Sequence, residues 1–207
     1  KINLVTTFIG RNKNLNITDN LELAGNVWKP ILEYAESLNV KIAIENCPML
    51  FTEDEWPGGK NIAVSPAIWR ELFKRLPSEY LGLNFDPSHF IWQEMDYIRP
   101  LYEFKDKIFH VHYKDIRVDK EARNEVGVLA TPLSYMVPCI PGHGDVNWAR
   151  YISALLEIGY QGAACIEVED KSFEDNNENI ENSLKISRQY LKQFIHFPEK
   201  GRQYAKD

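Results

Sequence analysis

The sequence predicts an α/β fold, a parallel sheet with helices between its strands, and three observations carry that expectation. Short apolar runs of strand length alternate with amphipathic stretches of helical period, in the order β, α repeated five times. Four of the five runs close on a metal-ligating or acid–base side chain, namely Glu45, Asp86, His112 and Glu167. One connection, residues 113–147, is far longer than the usual loop, as a lid or binding loop would be. An eight-unit barrel takes about 250 residues. The 207 residues here are therefore expected to form one domain, the last five βα units of a (β/α)8 barrel whose first three units are absent.

The elements follow in order. Ile2 to Phe8 is β-branched and apolar, a strand with nothing in front of it. Asp19 or Asn20 is placed to cap a helix carrying Leu23, Val27, Ile31, Ala35 and Leu38 on its buried face, with Pro30 as a kink or restart. A strand over 41–46 comes next, then Ser65-Pro66, an N-cap with Pro in the first turn, leading into Ile68, Trp69, Leu72 and Phe73. After the strand at 81–86, a helix is expected between Met95 and Phe104, broken near Pro100, and then the histidine strand at 108–112. Gly142 and Gly144 mark a chain reversal at the end of the lid, and His143 between them should be exposed. Trp148 to Ile158 reads as a helix stopped by Gly159. A strand at 163–168, a last helix marked by Ile180, Leu184, Leu191 and Ile195, and a polar tail after Pro198 that should fray complete the chain.

Composition excludes several classes. With 44% apolar and 12% aromatic residues the chain can bury a core, and nothing in it suggests low complexity. A net charge of -6 with scattered Lys and Arg argues against a nucleic-acid partner. No apolar run approaches the roughly 20 residues that span a bilayer, and the start of the sequence lacks a signal-peptide pattern, so no membrane is expected and the cytoplasm is the default location. Cys47, Cys139 and Cys165 are odd in number and widely spaced, and are read as reduced thiols.

In a parallel sheet all carboxyl-terminal strand ends lie on one face, so Glu45, Asp86, His112 and Glu167 should converge there. Three carboxylates gathered without a cation would repel one another and raise their own pKa values, which makes a divalent metal the economical explanation. Three oxygens and one nitrogen suit Mn²⁺ first, with Mg²⁺, Co²⁺ or Zn²⁺ as alternatives. His110 lies a layer below His112 on the same strand face and is read as a supporting or core histidine. Glu169 ranks second to Glu167 as a ligand, because it shares the same face but lies nearer the rim. Lys114 and Arg117 open the lid close to His112 and are expected to contact substrate, Arg suiting a planar or anionic oxygen group and Lys a point contact.

The motifs Ile-Glu-Asn at 44–46, Asp86-Pro-Ser-His89, His110-Val-His112, Pro141-Gly-His-Gly-Asp-Val-Asn-Trp148 and Ile166-Glu167 are individually weak. In this order and spacing the chain resembles the sugar phosphate isomerase/epimerase family of the xylose-isomerase-like TIM-barrel superfamily. That superfamily also holds ketose 3-epimerases, inosose dehydratases and endonuclease IV. The resemblance implies that Glu45, Asp86, His112 and Glu167 are metal ligands, that Glu45 and Glu167 double as the catalytic acid–base pair, and that His89 contacts substrate. It implies proton abstraction beside the carbonyl of a small keto-sugar or sugar phosphate, through an enediolate. A dehydratase or lyase would use the same enolate. Endonuclease-like cleavage is disfavoured, since the lid lacks an Asp-x-His motif and the charge is acidic, and a non-catalytic metal-stabilised subunit is the remaining alternative. The two open sheet edges of such a half-barrel call for cover by upstream residues, a partner or a second copy of the chain.

Overall fold

The computed structural model describes residues 2–50 and 58–195; the predicted fraying tail after Pro198 lies outside them. Five strands, β1 (Leu4–Thr7), β2 (Lys41–Glu45), β3 (Leu81–Phe85), β4 (Ile108–Tyr113) and β7 (Ala163–Ile166), form one sheet in that order, with every neighbouring pair parallel. This is an open half-barrel of five strands in sequence order, the architecture expected. Two further strands, β5 (Asp115–Val118) and β6 (Met136–Cys139), make a separate antiparallel ribbon inside the long lid.

Helices α1 (Ile17–Ser37), α2 (Pro66–Arg75), α6 (Trp148–Glu157) and α7 (Asn177–Leu191) are long, while α3 (Ser88–Ile91), α4 (Arg99–Glu103) and α5 (Lys120–Val126) are short. The helix-facing core centres on Trp69 of α2, whose ring stands edge-on to Phe85, Phe90 and Phe104 at centroid distances of 5.9, 5.8 and 5.3 Å. Its indole N–H donates to the Ala63 carbonyl, so burying this large ring leaves no polar group unpaired. Packing on that face holds the sheet still, and the opposite faces of β2, β3 and β4 are left to chemistry.

Four expectations need correction. Helix α1 is capped by Asn16, whose side chain accepts from Asp19 N–H, and it runs through Pro30 without a break. Its buried face is Asn20, Leu21, Ala24, Leu32 and Ala35; Leu23, Val27, Ile31 and Leu38 are exposed. The helix carries two apolar stripes, and the one away from the sheet is exposed. Between Met95 and Phe104 only α4 is helical, and Pro100 sits in its first turn, where a missing N–H costs nothing, so it starts the helix instead of breaking it. The lid, expected as one long loop, holds β5, β6, α5 and a 3₁₀ turn at Pro132–Ser134.

Both outer strands are open. On β1, Val5 is 42% exposed, and on β7 Ala163, Ala164 and Cys165 are all exposed. These are the edges a closed barrel would pair with further strands.

Candidate metal centre

Glu45 ends β2, Asp86 follows β3, His112 lies near the end of β4 and Glu167 follows β7. One ligand atom from each of the four lies within 4.8 Å of the others. The tips are tied at these positions. Asn46 donates to the Asp86 carbonyl at 2.9 Å and accepts from Asp86 N–H at 2.8 Å, a reciprocal amide clamp between the ends of β2 and β3. Asn61, fully buried, donates to the carbonyls of Glu45 and Cys47 at 2.8 Å each, which fixes the chain on either side of Asn46.

The charges are concentrated. His112 Nδ1 stands 3.0 Å from Glu167 Oε2 and 3.4 Å from Glu45 Oε1, between the two glutamates. Burial alone would lower its pKa, but the Glu167 and Glu45 carboxylates outweigh that and push it up to about 10. Glu167 is held below its usual value because His112 and Lys114 outweigh its burial. Asp86 has no exposure; burial would raise its pKa, and the imidazolium of His89, 3.3 Å away, turns the shift downward while its own rises.

Those contacts bring charges together without aligning donors to lone pairs. Asp86 Oδ2, His112 Nδ1, Glu167 Oε2 and His89 Nε2 are all buried and make no hydrogen bond. Buried polar atoms without partners are rare, and here the ligand atoms of three strands share the condition around one point. Three carboxylates and an imidazole gathered around one point, with the facing atoms of Asp86, His112 and Glu167 lacking a hydrogen-bond partner, fit a divalent cation.

The other expected residues are placed as follows. His89 sits in α3 beside Asp86, with Nε2 3.9 Å from Glu45 Oε1. Lys114 is buried, pairs with Glu169 and stands 3.7 Å from Glu167 Oε1. Burial would lower its pKa, but Asp86, Glu167 and Glu169 outweigh it, so the ammonium stays charged. Arg117 is exposed on β5, on the face opposite buried Ile116, and makes no ion pair with the quartet among the described residues. Glu169 is half exposed at the rim, bound to Lys114.

Sequence reasoning gave no site role to Asp115 or Cys47. Asp115 is buried at the root of the lid, and its carboxylate accepts from Ile116 N–H, Gly142 N–H, Val146 N–H and Trp148 Nε1–H at 2.8–3.0 Å. It ties the first strand of the lid to its last turn. Gly144 must be glycine here, because a Cβ would stand 2.3 Å from Asp115 Oδ1. Gly142 is held at φ +97° under the Tyr190 ring. Cys47 brings a thiol within 4.8 Å of Glu45 and His89. The available signal was proximity in sequence, since Asp115 lies three residues past His112 and Cys47 two residues past Glu45.

Residues 1–192 match the sequence profile of the xylose isomerase-like TIM barrel. The chain belongs to the xylose isomerase-like TIM barrel family. It is 30% identical to the uncharacterized protein YfiH of Bacillus subtilis over 180 residues, covering 81% of this chain and 51% of that protein. It is 27% identical to an inosose dehydratase of Lactiplantibacillus plantarum, over 56% of this chain and 38% of the relative. The zinc-bound crystal structure of the IolI protein superposes with a TM-score of 0.68 at 18% identity, over 94% of this chain and 64% of that one. The chain thus spans about half the length, or less, of the curated relatives it matches.

Proposed function

We propose that this chain carries the metal-binding and acid–base half of a sugar isomerase or epimerase that works by proton abstraction next to a carbonyl. The observation that carries the reading is the convergence of Glu45, Asp86, His112 and Glu167 within 4.8 Å, with buried atoms of Asp86, His112 and Glu167 that make no hydrogen bond. The zinc in the IolI structure supports a divalent ion at such a centre; Mn²⁺ is the first choice for this oxygen-rich set, with Mg²⁺, Co²⁺ and Zn²⁺ as alternatives. When bound, the ion supplies Lewis acidity that polarises a substrate carbonyl and offsets the charge of an enediolate.

The chain's own residues do the rest. Glu45 and Glu167 flank His112 from two different strands, so one carboxylate can remove the proton from a bound keto-sugar while the other returns it. General acid–base catalysis of this kind contributes about 10²- to 10⁴-fold in rate. His89 and Lys114 present N–H donors beside the carboxylates and are suited to hold substrate hydroxyl or carbonyl oxygens. Arg117 joins them only where substrate extends over the outer face of the lid ribbon.

Lys114 favours a second reading, a keto-sugar or inosose dehydratase. Its charged ammonium beside Glu167 can hydrogen-bond a leaving hydroxyl and offset the charge that develops on it, which would divert the enolate to elimination. An NMR assay in D₂O with Mn²⁺ and a panel of keto-sugars and inososes separates the readings. Deuterium entering the carbon next to the carbonyl, with an epimer or isomer as product, supports the first; loss of water supports the second. No deuterium exchange, or exchange undiminished in Glu167→Gln, would sink both.

A further inference from the structure

A metal-binding histidine must offer a lone pair from one ring nitrogen, and whatever bonds the other nitrogen decides whether it can. At this centre the nitrogen facing the carboxylates is His112 Nδ1. The other, Nε2, lies 3.0 Å from one end of the Asn84 side-chain amide, and the second end of that amide lies 2.7 Å from His110 Nδ1. Asn84 is fully buried on β3, and the two imidazole rings stand edge to face at 5.4 Å. One amide therefore bridges two histidines.

The bridge has two settings, exchanged by a half-turn of the amide that moves no heavy-atom position appreciably. When His112 is neutral and Asn84 turns Nδ2 toward it, His112 Nε2 accepts, so the single ring hydrogen sits on Nδ1 and points at Glu45 and Glu167. With Asn84 Oδ1 toward His112, Nε2–H donates to it and the Nδ1 lone pair is free for a cation. The same half-turn turns Asn84 Nδ2 toward His110, whose Nδ1 must then accept, placing the His110 hydrogen on Nε2. A change of tautomer at one histidine therefore compels the opposite change at the other.

We propose that Asn84 is a positioning residue that sets the tautomers of His112 and His110 together, and that the metal-loaded centre uses the setting with the amide oxygen on His112. The inference rests on the metal-binding reading above. It also gives His110 a role, as the acceptor that holds the amide in its loaded orientation.

The test uses the purified protein, Asn84→Leu and Asn84→Asp, with Zn²⁺ as the probe, followed by calorimetry and by long-range ¹H–¹⁵N NMR of the histidine rings. In the zinc-loaded wild type, His112 should carry its hydrogen on Nε2, and His110 Nδ1 should be unprotonated. Asn84→Leu should bind zinc about 10- to 100-fold more weakly. Asn84→Asp can still accept from His112 Nε2–H but cannot donate to His110. It should keep the His112 pattern and move the His110 hydrogen to Nδ1, a response that a merely space-filling Asn84 would not give. Unchanged zinc affinity in Asn84→Leu, or a hydrogen on His110 Nδ1 in the loaded wild type, overturns the proposal alone. A wild type that takes up no zinc overturns the metal reading with it. Should Asn84→Leu fail to fold, the wild-type spectrum and Asn84→Asp still decide.

Discussion

Replacing Asp115 by Asn should destabilise the lid far more than an isosteric change normally does. Each carboxylate oxygen accepts two donors: Oδ1 takes Ile116 N–H and Val146 N–H, and Oδ2 takes Gly142 N–H and Trp148 Nε1–H. An amide presents one oxygen and one NH₂, so two buried donors must face another donor whichever way it turns. Leaving a buried group unpaired costs about 1–3 kcal/mol. Two such groups give about 2–6 kcal/mol, and the lost negative charge weakens the two bonds that remain. We expect a loss of about 4 kcal/mol in urea unfolding of Asp115→Asn, with faster proteolytic cutting inside residues 113–147 before global unfolding. Isomerase or dehydratase activity should fall as well, because neighbouring Lys114 is held beside Glu167 by the same root of the lid. A stability change below about 0.5 kcal/mol, within the range of ordinary surface substitutions, would refute the reasoning.

His112 has a raised pKa of about 10, above its ordinary value near 6.5. Its contribution to stability in metal-free protein is therefore complete below about pH 6.5 and lost as pH rises through about 10. At pH 7.5 a metal must displace that proton, so calorimetry in buffers of different ionisation enthalpy should show proton release, and its absence would place the ion elsewhere. Lys114→Ala should lower kcat or raise KM at least tenfold, whereas exposed Arg117→Ala should change either by less than about threefold; steady-state kinetics decide. Val27→Lys, on the exposed stripe of α1, should alter the unfolding free energy of the 207-residue chain by less than about 0.5 kcal/mol. Leu32→Lys on its buried side should prevent cooperative unfolding altogether, as circular dichroism would show.

The parallel sheet and the converging strand ends were legible because both follow from local rules. Strand-length apolar runs separated by helical stretches leave little choice but a right-handed βα succession, and that succession brings every strand end to one face. The buried side of α1 was not legible, since Leu23, Val27, Ile31 and Leu38 make as good a helical stripe as the true one, and only the sheet's position chooses between them. The lid ribbon escaped notice because β5 and β6 have just four residues each and Pro138 lies inside the second. Asn46, Asn61 and Asn84 were hidden for a different reason. An asparagine reads as a turn former from sequence, and its value here lies in bridging backbone and rings up to 40 residues away.

The central claim is that Glu45, Asp86, His112 and Glu167 together hold one divalent cation. Its most direct test is a Mn²⁺ titration of the chelator-treated protein, followed by electron paramagnetic resonance and repeated with Asp86→Asn, whose carboxylate is fully buried in the quartet. The account predicts one bound ion per chain in the wild type and at least a 100-fold loss of affinity in the variant. Binding of equal strength in both, or none in the wild type with Mn²⁺, Mg²⁺, Co²⁺ or Zn²⁺, would contradict it.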